Sequence, residues 1–130
     1  GNDGIEETIA SDAEELDLPM AVLVNGATAS AAELFTAALR DYEKSVTVGT
    51  TTYGKGSMQT IFSLEYAGYA EAVKMTTKMY FPPISEGYDG IGIKPDLEID
   101  LDEALKNKNI YKITDAEDNQ IQAAIDLIGK

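Results

Sequence analysis

Histidine and cysteine are both absent from the 130 residues. Their absence excludes a Ser-His-Asp triad, a thiol nucleophile and the usual His/Cys ligand sets of zinc sites. Basic residues are scarce too: 10 Lys and Arg stand against 23 Asp and Glu, a formal net charge of −13. A surface of that sign repels nucleic acid and anionic lipid, so neither is expected as a partner. No apolar run approaches the roughly 18 residues of a membrane helix, and no basic-then-apolar leader opens the chain. The lack of cysteine fits an extracytoplasmic protein and fits a cytosolic one almost as well. With 44% hydrophobic content, one domain with a real core is expected over residues 1–130.

The densest information lies in residues 20–59. The run Met20-Ala21-Val22-Leu23-Val24-Asn25, closed by Gly26, reads as a buried strand, and residues 29–41 then change to helical spacing. Ser30 therefore falls at a strand-to-helix junction, where the first helical N–H groups lack partners and can face an anionic oxygen. The flanking alanines leave room for a peptide backbone. Ser30-Ala31-Ala32-Glu33 also fits a capping box, in which serine and glutamate satisfy each other's backbone N–H groups and no chemistry is implied. With no histidine or cysteine in the chain, only a lysine or a carboxylate can activate Ser30. Lys55, in Gly54-Lys55-Gly56-Ser57, suits that role, because flanking glycines let the backbone turn sharply and aim one long side chain into a cleft. The competing reading of Lys55 is an ordinary loop lysine in solvent.

These residues resemble the catalytic half of the carboxy-terminal processing (tail-specific) proteases. The small-residue serine motif before Glu33, the segment Gly54-Lys55-Gly56-Ser57-Met58-Gln59, and a lysine placed 25 residues after the serine carry the resemblance, which runs over residues 19–99. It implies that Ser30 is the nucleophile, Lys55 the general base and Gln59 the residue that orients the lysine. It implies as well that the backbone N–H of Ala31 is one of two oxyanion donors. A polypeptide substrate that is unfolded or exposed at its C-terminus, no metal or cofactor, and an extracytoplasmic location follow from the same resemblance. On that basis the chain is the C-terminal portion of a protease core, without the peptide-binding PDZ domain and upstream core of the family. The second oxyanion donor would then be missing, and the isolated 130 residues are expected to be poorly active.

The remaining segments complete the expected fold. Val46-Thr47-Val48-Gly49 reads as a second buried strand, and a strand, helix, strand order implies a parallel pair joined by a crossover. Residues 49–55 come close to a phosphate-binding loop. Gly56 occupies the position where that motif needs Ser or Thr, and the β-type alternation that follows leaves no helix dipole, so a nucleotide site is the weakest alternative. Residues 58–64 and 72–81 suggest an antiparallel hairpin turning at residues 65–70 and ended by Pro82-Pro83. Gly90-Ile91-Gly92-Ile93-Lys94-Pro95-Asp96 resembles the family's glycine-isoleucine and proline-aspartate signature, while the acidic loop before it departs from the family's basic one. Tyr80 and Tyr88 can line a peptide groove or sit half-buried. Residues 1–18 read as an exposed hairpin or loop opening on a turn at residues 1–4. Two helical segments are expected in the tail, one over residues 101–106 and one after Thr114-Asp115-Ala116-Glu117. The apolar stripe Ile121, Ala124, Ile125 and Ile128 can pack on the core or on a partner chain, a homodimer included. The acidic clusters at residues 100–103 and 115–118 read as solvated charge rather than a cation site.

The expected architecture is α/β: a mixed sheet with crossover helices, similar to the ClpP/crotonase-like β-β-α superhelical core. A non-catalytic peptide-binding or assembly module of the same fold is the main alternative to a peptidase.

Overall fold

The computed structural model describes residues 4, 8–10, 12, 14–66 and 69–129. Short Val-rich strands build its centre. β1 (Ala21–Val24) pairs in parallel with β2 (Val46–Gly49), and β2 pairs in parallel with β5 (Leu97–Glu98), giving the order β1-β2-β5. The helix α1 (Ala31–Asp41) connects β1 to β2 and packs on β2. Burial follows position in the sheet: β2, the central strand, is almost wholly buried, while edge strand β1 leaves Leu23 exposed. β1 therefore departs from the fully buried strand its composition predicts.

Ser57–Tyr66 (β3) and Tyr69–Met79 (β4) form a long antiparallel hairpin with a register shift between Met58 and Gln59. Of its expected turn, residues 67 and 68 lie outside the described residues. The two types of pairing predicted from the sequence both occur, but in separate sheets rather than in one mixed sheet. The hairpin stands apart because β3 and β4 make their extensive contacts with each other. One of its faces carries Phe62, Leu64, Val73 and Met75, all exposed.

The tail folds back on the strands. α2 (Asn119–Ile128) packs on β1 and β2, burying Ala124, so its stripe meets the chain's own core. Asp118 caps it, accepting from the N–H groups of Gln120 and Ile121. Thr114 and Glu117 instead close a separate turn, with Thr114 Oγ1 donating to Glu117 at 2.9 Å. Hydrogen bonds from Thr114 and Lys108 hold the Glu117 carboxyl at about 2, well below the ordinary 4.5.

The helix expected over residues 101–106 is absent. That segment makes only short turns, such as Leu105 N–H to Asp102 O at 2.8 Å. One turn fixes several dihedrals for a single bond and needs packing to persist, and here Leu101 and Leu105 are only half-buried while the residues around them are exposed. Within it Lys106 bridges Asp100 and Glu103 at 2.7 and 2.6 Å. The acidic cluster there is neutralised in part by lysine, and no metal-type grouping of three ligands occurs among the described residues. At the other end, Gly4 and the described residues of the segment 8–18 form neither helix nor strand and are exposed. The remainder of the expected turn at residues 1–4 lies outside the described residues.

Candidate active site

The chain leaves β1 through a tight turn in which Thr28 N–H bonds Asn25 O at 2.8 Å and Ala27 N–H bonds Asn25 Oδ1 at 2.9 Å. It then enters α1 through Ser30, whose dihedrals are φ 59° and ψ −121°. Those are the angles of the first central position of a type II′ turn, and the Ala32 N–H to Ala29 O bond at 3.3 Å closes it. Glycine dominates that position because a Cβ there costs about 1–3 kcal/mol. An ordinary N-cap has β-region angles, so Ser30 caps α1 from an unusual backbone conformation. A serine kept in a strained strand-to-helix turn is the arrangement that lifts a nucleophile out of its surroundings. The next N–H, that of Ala31 in the exposed first position of α1, has no acceptor among the described residues.

Glu33 ties this turn to the lysine loop. Its side chain is fully buried, and its two oxygens accept four hydrogen bonds. Oε2 accepts from Ser30 N–H at 2.9 Å and Lys55 N–H at 2.8 Å, while Oε1 accepts from Thr52 Oγ1 at 2.5 Å and Gly54 N–H at 2.6 Å. Burial pushes this carboxyl up, but the bonds from Thr52, Lys55, Gly54 and Ser30 outweigh it and hold it below the ordinary carboxylate value. The predicted capping box is present, and its glutamate contact is one of four bonds on this carboxylate. Sequence reading missed the other three because Thr52 lies 19 and Lys55 22 residues away.

The loop is locked from its other side by the glycine-isoleucine segment. Thr52 N–H donates to Ile93 O at 3.1 Å, Ile93 N–H to Thr52 Oγ1 at 2.7 Å, and Gly90 N–H to Gly54 O at 2.8 Å. The backbones approach so closely that a Cβ on Gly54 would lie 2.7 Å from Gly92 N, and one on Gly92 would lie 2.3 Å from Thr52 O. Both glycines also have φ near +80°, at 87° and 75°. Asp89 adds a bond from Gly56 N–H at 2.8 Å. Pro95-Asp96 then anchors the segment to β2 and α1: Asp96 Oδ2 accepts from Thr47 N–H and Oγ1, and Arg40 Nε lies 3.1 Å from Asp96 Oδ1.

Tyr88 belongs to the core and also lines a cavity with Ala37, Arg40 and Ile93, away from Lys55 and Gln59. It is buried with Ala37 and Ile93, and half-buried Tyr80 packs against that cluster. Burial first, and then the nearby Glu33 charge, raise the Tyr88 phenol above its ordinary value.

Lys55 and Gln59 share a groove of about 410 Å³ with Tyr53, Gly54, Ser57, Lys74 and Asp89. Both side chains are half-buried. Ser30 does not line this groove; it is linked to Lys55 through the Glu33 carboxylate, and no hydrogen bond joins Lys55 Nζ to Ser30 Oγ among the described residues. Such contacts are often long before substrate binds. The loop from Gly49 runs into strand β3, so no helix N-terminus faces it and the phosphate-loop alternative loses its anion site. Lys74 had no signal in the sequence, since only the β3–β4 register brings it beside Gln59.

A strained serine before a helix, an adjoining backbone N–H and a glycine-locked lysine loop are thus gathered around one buried carboxylate. In comparisons with known proteins, the model of the peptidase family S41 matches residues 2–99, and the chain belongs to that family. Its relatives are carboxy-terminal processing proteases. One from Bartonella bacilliformis is 40% identical over 96 residues, covering 74% of this chain and 21% of the relative. Another, from Picosynechococcus sp., is 38% identical over 127 residues, covering 96% of this chain and 29% of the relative. Among solved structures, a photosystem II D1 C-terminal processing protease aligns with TM-score 0.53 and 38% identity over 63% of this chain and 20% of that one. The chain thus spans less than a third of the length of these relatives.

Proposed function

We propose that this chain carries the Ser/Lys centre of a tail-specific peptidase that hydrolyses unfolded or C-terminally exposed polypeptides outside the cytoplasm. The observation that carries the reading is the Glu33 carboxylate, which holds the Ser30 and Lys55 backbones at 2.9 and 2.8 Å from one oxygen. Lys55, as a neutral amine, takes the proton of Ser30 Oγ while that oxygen attacks the scissile carbonyl, and Gln59 orients the amine. The Ala31 N–H stabilises the carbonyl oxygen as it becomes an oxyanion. The proton passes to the leaving amine, and water then hydrolyses the ester on Ser30 by the same route in reverse. No helix among the described residues is long and apolar enough to cross a membrane.

The test is Ser30→Ala in the intact protein. Turnover of an unfolded polypeptide is expected to vanish, with unfolding free energy within about 1 kcal/mol of the parent. Ser30→Gly is expected to be equally inactive yet about 1 kcal/mol more stable than Ser30→Ala, because glycine adopts the turn without a Cβ penalty. Denaturant titrations of the two variants measure this, and residual turnover in either would end the nucleophile assignment.

The 130 residues alone are proposed to turn over at least about a hundredfold more slowly than the intact protein, since one oxyanion donor of the two is provided here. Equal specific activity of the two preparations would contradict this. The unbonded Lys55 and Ser30 side chains favour one other reading, a non-catalytic peptide-binding or assembly module of the same fold. Such a module would bind peptide and never turn it over, with Ser30 present or replaced.

A further inference from the structure

We infer that Lys74 is a carboxylate-binding residue of the groove lined by Lys55 and Gln59, so the bound polypeptide presents a carboxylate there; this rests on the peptidase reading above. Lys74 pairs with Ile61 across the hairpin, and Ile61 lies two residues from Gln59, so Lys74 and Gln59 share a face. That face borders the groove, and Lys74 lines it together with Lys55.

Charge accounting and position together mark Lys74. Acidic residues outnumber basic ones 23 to 10, so a cation with no carboxylate beside it is unexpected. Arg40, Lys44, Lys94, Lys106 and Lys108 all have acidic partners. Lys55, Lys74, Lys78 and Lys112 have none among the described residues, and of these four Lys55 and Lys74 line this groove. The single carboxylate lining it, Asp89, already accepts from Gly56 N–H at 2.8 Å. With Lys55 acting as a neutral amine and Asp89 engaged by Gly56 N–H, Lys74 is the cation of this groove without an ion-pair partner among the described residues, and on an acidic protein it draws an anionic group to that place while the remaining surface repels it. Carboxylate is the anion a polypeptide carries, at its C-terminus or on Asp and Glu side chains. Lysine suits such a ligand, being a point charge on a flexible stem that can follow a mobile chain end.

The experiment uses one short, neutral, fluorescently labelled peptide in three forms: free C-terminal carboxylate, C-terminal amide, and amide with one internal Gln replaced by Glu. Binding is read by anisotropy on intact protein carrying Ser30→Ala, alone and combined with Lys74→Gln or Lys78→Gln. Lys78 pairs with Met58 on the same strand and does not line the groove, so it controls for net charge. The carboxylate forms are expected to bind about three- to tenfold more tightly than the plain amide, and Lys74→Gln alone should abolish that ratio. Loss of the ratio for the free C-terminus identifies the chain end as the ligand, and loss for the Glu peptide identifies an acidic side chain. An unchanged ratio in Lys74→Gln, or equal loss in Lys78→Gln, overturns the inference. Parallel turnover assays with Ser30 intact report on the peptidase reading separately, because binding decides the role of Lys74 even if no cleavage occurs.

Discussion

Lys55→Arg in the intact protein is expected to lower turnover by about 10³-fold or more, the scale of a lost general base. Arginine preserves the positive charge and nearly the length, but a guanidinium does not release its proton, so it has no lone pair with which to take the hydrogen of Ser30. Folding should be little affected. The bond that fixes this position is made by the Lys55 backbone N–H to Glu33, which any side chain retains, and the Lys55 side chain has no ion pair to lose among the described residues. Thermal melts and initial rates on the same preparation separate the two effects. An arginine variant with near-parental turnover and an unaltered melt would remove Lys55 from the chemistry.

Glu33→Gln should have the largest effect on stability, with a loss of about 3 kcal/mol, the scale of two charge-assisted hydrogen bonds forfeited at once. Four donors converge on the carboxylate, and it is wholly buried. A glutamine has one oxygen for them and turns its NH₂ group toward the rest, which leaves backbone N–H groups facing N–H groups. Ser30 and Lys55 both lose a tether, so activity measured where the variant is still folded should fall as well. The charge also sets a pH dependence. Because the folded carboxyl lies below its ordinary 4.5, its contribution is present above that value and is lost as pH falls through the lower folded value. Denaturant unfolding as a function of pH should show that acid loss in the parent and lack its Glu33 part in the glutamine variant. If the two pH curves are parallel, the carboxylate carries no such role.

Several elements around the candidate centre were legible in the sequence. Val46–Gly49 was legible as a strand because two valines and a terminal glycine leave few other readings, and the serine turn was legible from its small residues. Glu33 was legible only as a local cap, since the capping box spans three residues whereas its strongest partners are separated from it by a helix and a strand. The same limit hid Lys74, which strand register places, and the burial of Tyr88, which depends on α1 covering it. Residues 101–106 read as helical and form short turns instead, with Leu101 and Leu105 only half-buried. A single mixed sheet was predicted because hairpin strands usually join the nearest sheet, whereas β3 and β4 pair with each other alone.

The 25 residues between Ser30 and Lys55 have a simple origin in the parallel pairing of β1 with β2. Val24 and Gly49 are register partners, and the serine and the lysine each follow six residues after their own member of that pair. The interval is therefore a property of the connection that happens to be used, α1 and its loops, while the placing of the two loops side by side is a property of strand alignment. Extra residues inserted near Glu43 or Lys44 would stretch the interval and leave the two loops where they are. A slip of one residue in β2 would keep the interval in the sequence nearly intact and turn Val48 outward, dismantling the site. Homologues with a longer crossover would be missed by a search on spacing and recovered by one on register, and a graft of the centre onto another scaffold must copy two aligned strand ends before it copies any loop.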